Sequence, residues 1–318
     1  MAGKDIRRLV AYSSRIDNQE KVNIVRRILL GLESAGVVEV LLMPDTFRIA
    51  SKALEGIHQP LQLRVRILEM EVRGDAKDSL QATQRMCEAG AQCILVLGGD
   101  GTHRVVAKAS GRVPLLPIST GTNNVFPQML EGTVAGLAAG LYARHTTLLD
   151  KVVLPTKRLE IWRDGALQDI ALVDVAVSTQ QFVGARALWG VSDIQELFLT
   201  QGVPSNIGLS SIAGWSHPIT GQDPEGIQLG LGGGGRQVRA LIAPGLIVPV
   251  CISRQQTIQS GERIPLRHAP AMLALDGERE LLVRPGERWE VTLSWDGPKV
   301  LDVARTLLLA QQQGLHRS

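Results

Sequence analysis

Along the first half of the chain, short apolar runs alternate with stretches whose apolar positions recur at helical spacing. Arg8 to Tyr12 reads as a strand. Asn18 to Ala35 follows as an amphipathic helix, with Val22, Val25, Ile28, Leu29 and Leu32 on one face and Gly36 placed to end it. Val37 to Met43 is a second strand, closed off by Pro44, and Leu63 to Leu68 is a weaker third. Asp78 to Ala89 is a helix stopped by Gly90. Cys93 to Leu97 is apolar at every position, as expected of a strand covered on both faces. Pro114 to Ile118 repeats this pattern after a helix that begins near Thr102. A βαβα alternation of this kind predicts an open, Rossmann-like parallel sheet with helices on both faces.

From about Asp150 the period changes. Val152–Val153, Arg158–Trp162, Ile170–Val177, Ile227–Gly230, Val238–Ile242, Leu246–Cys251, Met272–Leu275, Glu280–Val283 and Glu290–Leu293 are short strand candidates. Asp164-Gly165 and Asp276-Gly277 have the composition of tight hairpin turns. Gly232 to Gly235 reads as a surface loop, since no helix follows it to make a phosphate cradle. A closing helix, Val300 to Gln312, is expected to pack back on the first half. The organisation predicted is an α/β domain over residues 1–149 and a β-rich domain over residues 150–318.

Composition narrows the function. Of 318 residues, 44% are hydrophobic and 20% charged, and 34 Lys+Arg against 31 Asp+Glu leave a formal charge of +3. That balance argues against a dedicated nucleic-acid or membrane-surface binder, and aromatics at 3% supply few stacking platforms. Three cysteines without a CxxC pair, the absence of HExxH, and no apolar run of membrane-spanning length point to a cytoplasmic protein with no disulfide framework and no protein-built zinc site. The opening residues have no apolar core of a signal peptide.

Chemistry concentrates where the buried strand ends. Gly98-Gly99-Asp100-Gly101-Thr102 joins it to a helix, the glycines permitting positive φ and close backbone approach, so that amides of the turn and helix N-terminus can face an anion. In an open α/β sheet ligands sit outside the carboxyl ends of the strands, where this loop lies. An acid within such a loop repels bare phosphate, so Asp100 fits a residue that binds Mg²⁺ or takes a proton from a hydroxyl being phosphorylated. The next strand delivers Ser119-Thr120-Gly121-Thr122-Asn123-Asn124 to the same edge, a second loop of hydroxyls, carboxamides and backbone amides suited to polyphosphate or ribose. No GxxxxGK[ST] is present, which excludes a P-loop NTPase.

GGDGT followed by a GTxN-type loop resembles the superfamily of NAD kinases, diacylglycerol kinases and sphingosine-type lipid kinases. Within it, GGDGTHRVVAK, PISTGTNNVFP, FVGARALW and SSIAGW are similar to the ATP-NAD kinase-like proteins of the acetoin-catabolism (AcoX) type. The resemblance implies an NAD kinase-like fold with a C-terminal β-sandwich-type domain, ATP and Mg²⁺ as cofactors, NAD as acceptor and a homo-oligomer. It also implies a catalytic, metal-binding Asp100, and cofactor contacts from Gly98, Gly99, Gly101, Thr102, Thr120, Gly121, Thr122, Asn123, Asn124 and Asp276. The last belongs to Asp276-Gly277-Glu278, which resembles the late Asp-Gly-Glu that lipid-kinase relatives return to the cleft; on the residues alone, Met272 to Val283 reads equally as a hairpin. The chain departs from NAD kinases in lacking the Thr-Pro-Thr-Gly-Ser-Thr-Ala-Tyr stretch and the Asn-Glu pair: Ser210 to Trp215 and Asp174 stand in the comparable regions. Arg186, Trp189 and Trp215 read as acceptor-pocket or packing residues, His103 as a phosphate contact or, as is commoner for a lone histidine in a helix's first turn, a solvated side chain, and Lys108 as a surface residue. A nucleotide-binding regulator without turnover and a lipid kinase are the rival expectations.

Overall fold

A computed structural model describes residues 16–179 and 191–315. The strand expected at Arg8–Tyr12 and the segment carrying Arg186 and Trp189 lie outside the described residues.

Helix α1 (Asn18–Ser34) starts where the Asp17 carboxylate accepts from the Glu20 amide, and ends at Gly36, whose φ of 74° reverses the chain. Val22, Ile28, Leu29 and Leu32 are buried along one face. Strand β1 (Glu39–Leu42) is followed by α2 (Ile49–Glu55) and by β2 (Arg64–Ile67), which pairs with β1 in parallel. Helix α3 (Ala76–Glu88) leads into β3 (Ile94–Gly98), α4 (Asp100–Ala107) and β4 (Leu115–Ser119), which lies parallel to β3 and is buried throughout. The sequence pattern does not anticipate α2 or α5 (Gly132–Arg144). Along α5, Gly132, Gly136 and Gly140 recur every fourth residue and face α1 so closely that a Cβ on Gly136 would stand 2.2 Å from the Ile28 carbonyl oxygen. Helix α1 answers with Gly31, whose Cβ would lie 2.4 Å from the Thr133 carbonyl oxygen. The two helices thus meet backbone to backbone.

After the short β5 (Val153–Leu154) the sheets are antiparallel. Strands β6 (Arg158–Arg163), β7 (Ala166–Ala171), β8 (Asp174–Ser178), β9 (Ile194–Leu199), β10 (Gly226–Ala243), β11 (Leu246–Ile258), β12 (Arg263–Pro265), β13 (Ala271–Leu275), β14 (Glu278–Val283) and β15 (Trp289–Ser294) form two of them. Their orders are β11-β10-β9-β8-β13-β14 and β12-β15-β6-β7. Leu159, Ile161, Val175, Phe198, Leu273 and Val291 pack between the two as a sandwich core. Helix α6 (Ser210–Ser216), the observed form of the SSIAGW segment, covers the other face of the larger sheet with Ile212 and Ala213. Asp164-Gly165 and Asp276-Gly277 are hairpin turns with both residues at positive φ.

Two strand expectations are corrected. Ile170–Val177 is not one strand: β7 and β8 belong to different sheets, and the break at Leu172-Val173 exists because those amides turn away to a side chain described below. Gly232–Gly235 is not a loop between strands but an exposed bulge inside β10, since Leu231 and Arg236 both pair with Ile252.

The chain then returns to the first half. Strand β16 (Val300–Leu301) inserts between β4, to which it is parallel, and β5. Helix α7 (Val303–Gln312) follows, and its buried Ala310 belongs to the same core as α1 and α5. The architecture is α/β, with parallel sheets in the N-terminal half and antiparallel sheets in the C-terminal half. Among the described residues no helix is long and apolar enough to cross a membrane.

Candidate functional site

The loop glycines act differently from expectation. None takes a positive φ; Gly99, the N-cap of α4, is extended, with φ −96° and ψ −177°. What they supply is close approach. A Cβ on Gly98 would stand 2.6 Å from Thr102 Cβ, and one on Gly99 would stand 2.8 Å from Asn124 Oδ1. Helix α4 therefore begins at Asp100 rather than at Thr102, and the Thr102 and His103 amides donate to the Gly99 carbonyl.

The second loop is stitched to the first. The Thr120 amide donates to the Gly98 carbonyl, and Asn124 Nδ2 donates to Ser119 Oγ at 2.8 Å and to the Gly121 carbonyl at 3.3 Å. Thr120 and Asn124 thus serve the internal frame of the loops, whereas Thr122 stands exposed and its hydroxyl donates to Asn123 Oδ1. Asp100 binds the far end of that second loop: its carboxylate accepts from the Phe126 amide at 2.8 Å and from the Val125 amide at 3.1 and 3.2 Å. Sequence reasoning missed these two amides, because a backbone partner leaves no residue-type signal.

His103 is buried rather than solvated. Nδ1 lies 2.8 Å from the Gly99 carbonyl and Nε2 3.2 Å from that of Val96, and the ring sits 5.8 Å from that of Phe126. Burial lowers its pKa to about 4, against the pull of the two carbonyls. Neutral imidazole has one N–H, which is best placed on Nδ1 with its nearer partner. The unfolded chain protonates this histidine near pH 6.5 while the folded chain does not. Its contribution is therefore complete above that pH and is lost as pH falls toward 4, by about 3 kcal/mol at most. Urea titrations between pH 7 and pH 4 should show this loss in the wild type and not in His103→Leu; equal pH dependence in the two would refute it.

The antiparallel half contributes its turn between β13 and β14. Asp276, expected as a cofactor contact, has a fully buried side chain here. Its carboxylate accepts from the Leu172, Val173 and Asp174 amides, at 2.8 Å from Val173, which is what breaks the strand at that point. Burial pushes its carboxyl above the ordinary range, opposed by Arg104 and by the amides. Of the Asp-Gly-Glu triplet it is Glu278 that reaches the glycine loop: a methyl on Gly101 would stand 3.4 Å from Glu278 Oε1. Trp215 is half exposed at the end of α6. Lys108 is exposed as expected, and its Nζ lies 2.6 Å from Asp169 Oδ1. Among the described residues no group of three or more His, Cys, Asp or Glu side chains could hold a metal ion.

A glycine loop with an embedded acid thus lies at the carboxyl edge of parallel strands and is met by a carboxylate from the antiparallel half. The ATP-NAD kinase N-terminal domain family matches residues 14–146, and the acetoin catabolism protein X C-terminal domain family matches residues 157–296. Acetoin catabolism protein X of Cupriavidus necator is 38% identical over 332 residues, covering 100% of this chain and 92% of that protein. The chain belongs to the acetoin catabolism protein X family. Among solved structures, yeast NADH kinase complexed with NADH is similar at 14% identity and a TM-score of 0.49, over 94% of this chain and 85% of that one. An NAD kinase from Archaeoglobus fulgidus in complex with ATP is similar at 14% identity and a TM-score of 0.36, over 88% and 98%.

Proposed function

We propose that this protein is a phosphotransferase that moves the γ-phosphoryl group of ATP to a hydroxyl acceptor, with NAD(H) and its ribose hydroxyl as the leading acceptor. The observation that carries the reading is the meeting of Asp100, the stitched pair of glycine loops and Glu278 at one edge of the β3–β4 sheet. Gly98, Gly99, Gly101 and Thr102 form the phosphate loop at the α4 N-terminus, and Gly121, Thr122 and Asn123 border the same crevice. Asp100 takes the proton of the acceptor hydroxyl as that oxygen attacks phosphorus and ADP leaves, so catalysis is positioning and electrostatics.

The donor set suits Mg²⁺, a hard cation that accepts one or two carboxylates and fills its remaining positions with phosphate oxygens and water. Asp100 and Glu278 would hold it, and when bound it neutralises charge on the transferring phosphates. On this reading the enzyme works as a cytoplasmic homo-oligomer, and light scattering on the purified protein reads its oligomeric state.

The acceptor is tested with radiolabelled ATP and Mg²⁺ against NAD, NADH, sphingosine and diacylglycerol. Label on NAD or NADH is the expected result, and label on a lipid alone would overturn the acceptor. A second reading, a nucleotide-binding regulator without turnover, is favoured by the bonds that the Val125 and Phe126 amides give to Asp100. It predicts ATP binding in a calorimeter with no labelled product.

A further inference from the structure

Helix α4 carries a second charged residue on the face of Asp100. Arg104, one turn on, is only 3% exposed. Its Nη1 lies 3.3 Å from Asp169 Oδ2 and its Nε lies 3.7 Å from Asp276 Oδ2. A guanidinium taken out of water at such a depth is stable only against carboxylates that match its fork. The two carboxylates come from different sheets of the antiparallel half: Asp169 from β7, Asp276 from the turn leading into β14. Asp276 also holds the Leu172, Val173 and Asp174 amides, where the chain crosses from one sheet to the other. Lys108, a further turn along, pairs with Asp169 at the rim. Asp100, Arg104 and Lys108 therefore form a stripe at four-residue spacing, with the glycine loop at one end and the antiparallel half docked along the rest.

We infer that Arg104 is a positioning residue, docking the antiparallel half on α4 so that the β13–β14 turn holds Glu278 over Gly101. The inference rests on reading the glycine loop as the phosphate site. Glu278 is exposed and only two residues beyond Asp276, so its place over the loop is inherited from the turn that Arg104 fixes. Lysine retains the charge but not the fork, and cannot bridge both carboxylates from the same backbone position.

Two measurements on the full chain test this. In the absence of nucleotide, Arg104→Lys should speed amide deuterium exchange of the peptide spanning residues 272–283 by about tenfold and leave that of residues 226–258 unchanged. Arg104→Leu should do the same more strongly, and Arg104→Lys keeps the test alive if the leucine variant does not fold. In calorimetry with ATP and Mg²⁺, Glu278→Gln should weaken binding by about tenfold in the wild-type background and add nothing to Arg104→Lys. Unchanged exchange in residues 272–283, or additive losses in the double variant, would overturn the positioning role. Should the wild type bind no ATP, the phosphate-site reading falls, and the exchange measurement by itself decides whether Arg104 holds the turn.

Discussion

Asp100→Asn should leave a folded protein that still binds ATP and has lost at least about a thousandfold of its phosphoryl transfer. The loss follows from the role proposed for this carboxylate, since an amide neither takes the acceptor proton nor offers a charged oxygen to Mg²⁺. The structure adds a cost that the loop sequence does not disclose. The side chain accepts from the Val125 and Phe126 amides, and an asparagine would turn its NH₂ toward one of these donors or lose a bond. That should destabilise the protein by about 1–3 kcal/mol, readable as a lower urea midpoint at unchanged slope. Turnover close to wild type would remove Asp100 from the mechanism, whereas wild-type stability would dispute its bonds to the second loop.

Gly136→Ala should be the most damaging conservative change in the first half. Intrinsic propensity predicts the reverse, because alanine in a helix interior is worth about 1 kcal/mol over glycine. The added methyl would meet the Ile28 carbonyl oxygen at 2.2 Å and Ile28 Cα at 2.9 Å, both backbone atoms of α1 that no rotamer change can move aside. Separating the helices strips contacts all along the Gly132–Gly140 ridge, for a net loss of about 3 kcal/mol. Gly234→Ala is the control: its Cβ would meet nothing within 4 Å, so stability should shift by no more than about 0.5 kcal/mol. Equal midpoints for the two variants would mean that α1 and α5 do not touch as described.

Legibility in the sequence followed the kind of force at work in each element. Helix α1 and strands β3 and β4 were readable because burial writes itself as apolar period, and the two Asp-Gly turns because positive φ selects residue type. Helix α5 was not, since Gly132, Gly136 and Gly140 read as helix breakers until a partner backbone is known to lie against them. The split of Ile170–Val177 was hidden for a similar reason: an apolar run looks continuous, and the carboxylate that diverts its amides sits a hundred residues downstream. In the candidate site, the two glycine loops were visible as motifs, but the division of labour within Asp276-Gly277-Glu278 was not. Arg104 left a faint trace in the spacing Asp100, Arg104, Lys108, a charged stripe on a helix that must face something. His103 left none, because a lone histidine looks the same whether it is wetted or buried.

The placement of β16 has a consequence for how the protein is made. Val300 pairs with Leu115 on one side and with Leu154 on the other, so this late strand fills a gap in the very sheet that presents both loops. Everything from β6 to β15 is synthesised before that gap can close. A ribosome working through the sandwich thus carries, already outside, a β4 edge whose amides and carbonyls have no neighbour and whose loops stand on unfinished support. Closing it joins residues far apart in the chain, a slow step set by loop entropy rather than by local preference. The crevice gains its floor only after the whole antiparallel sandwich has been made.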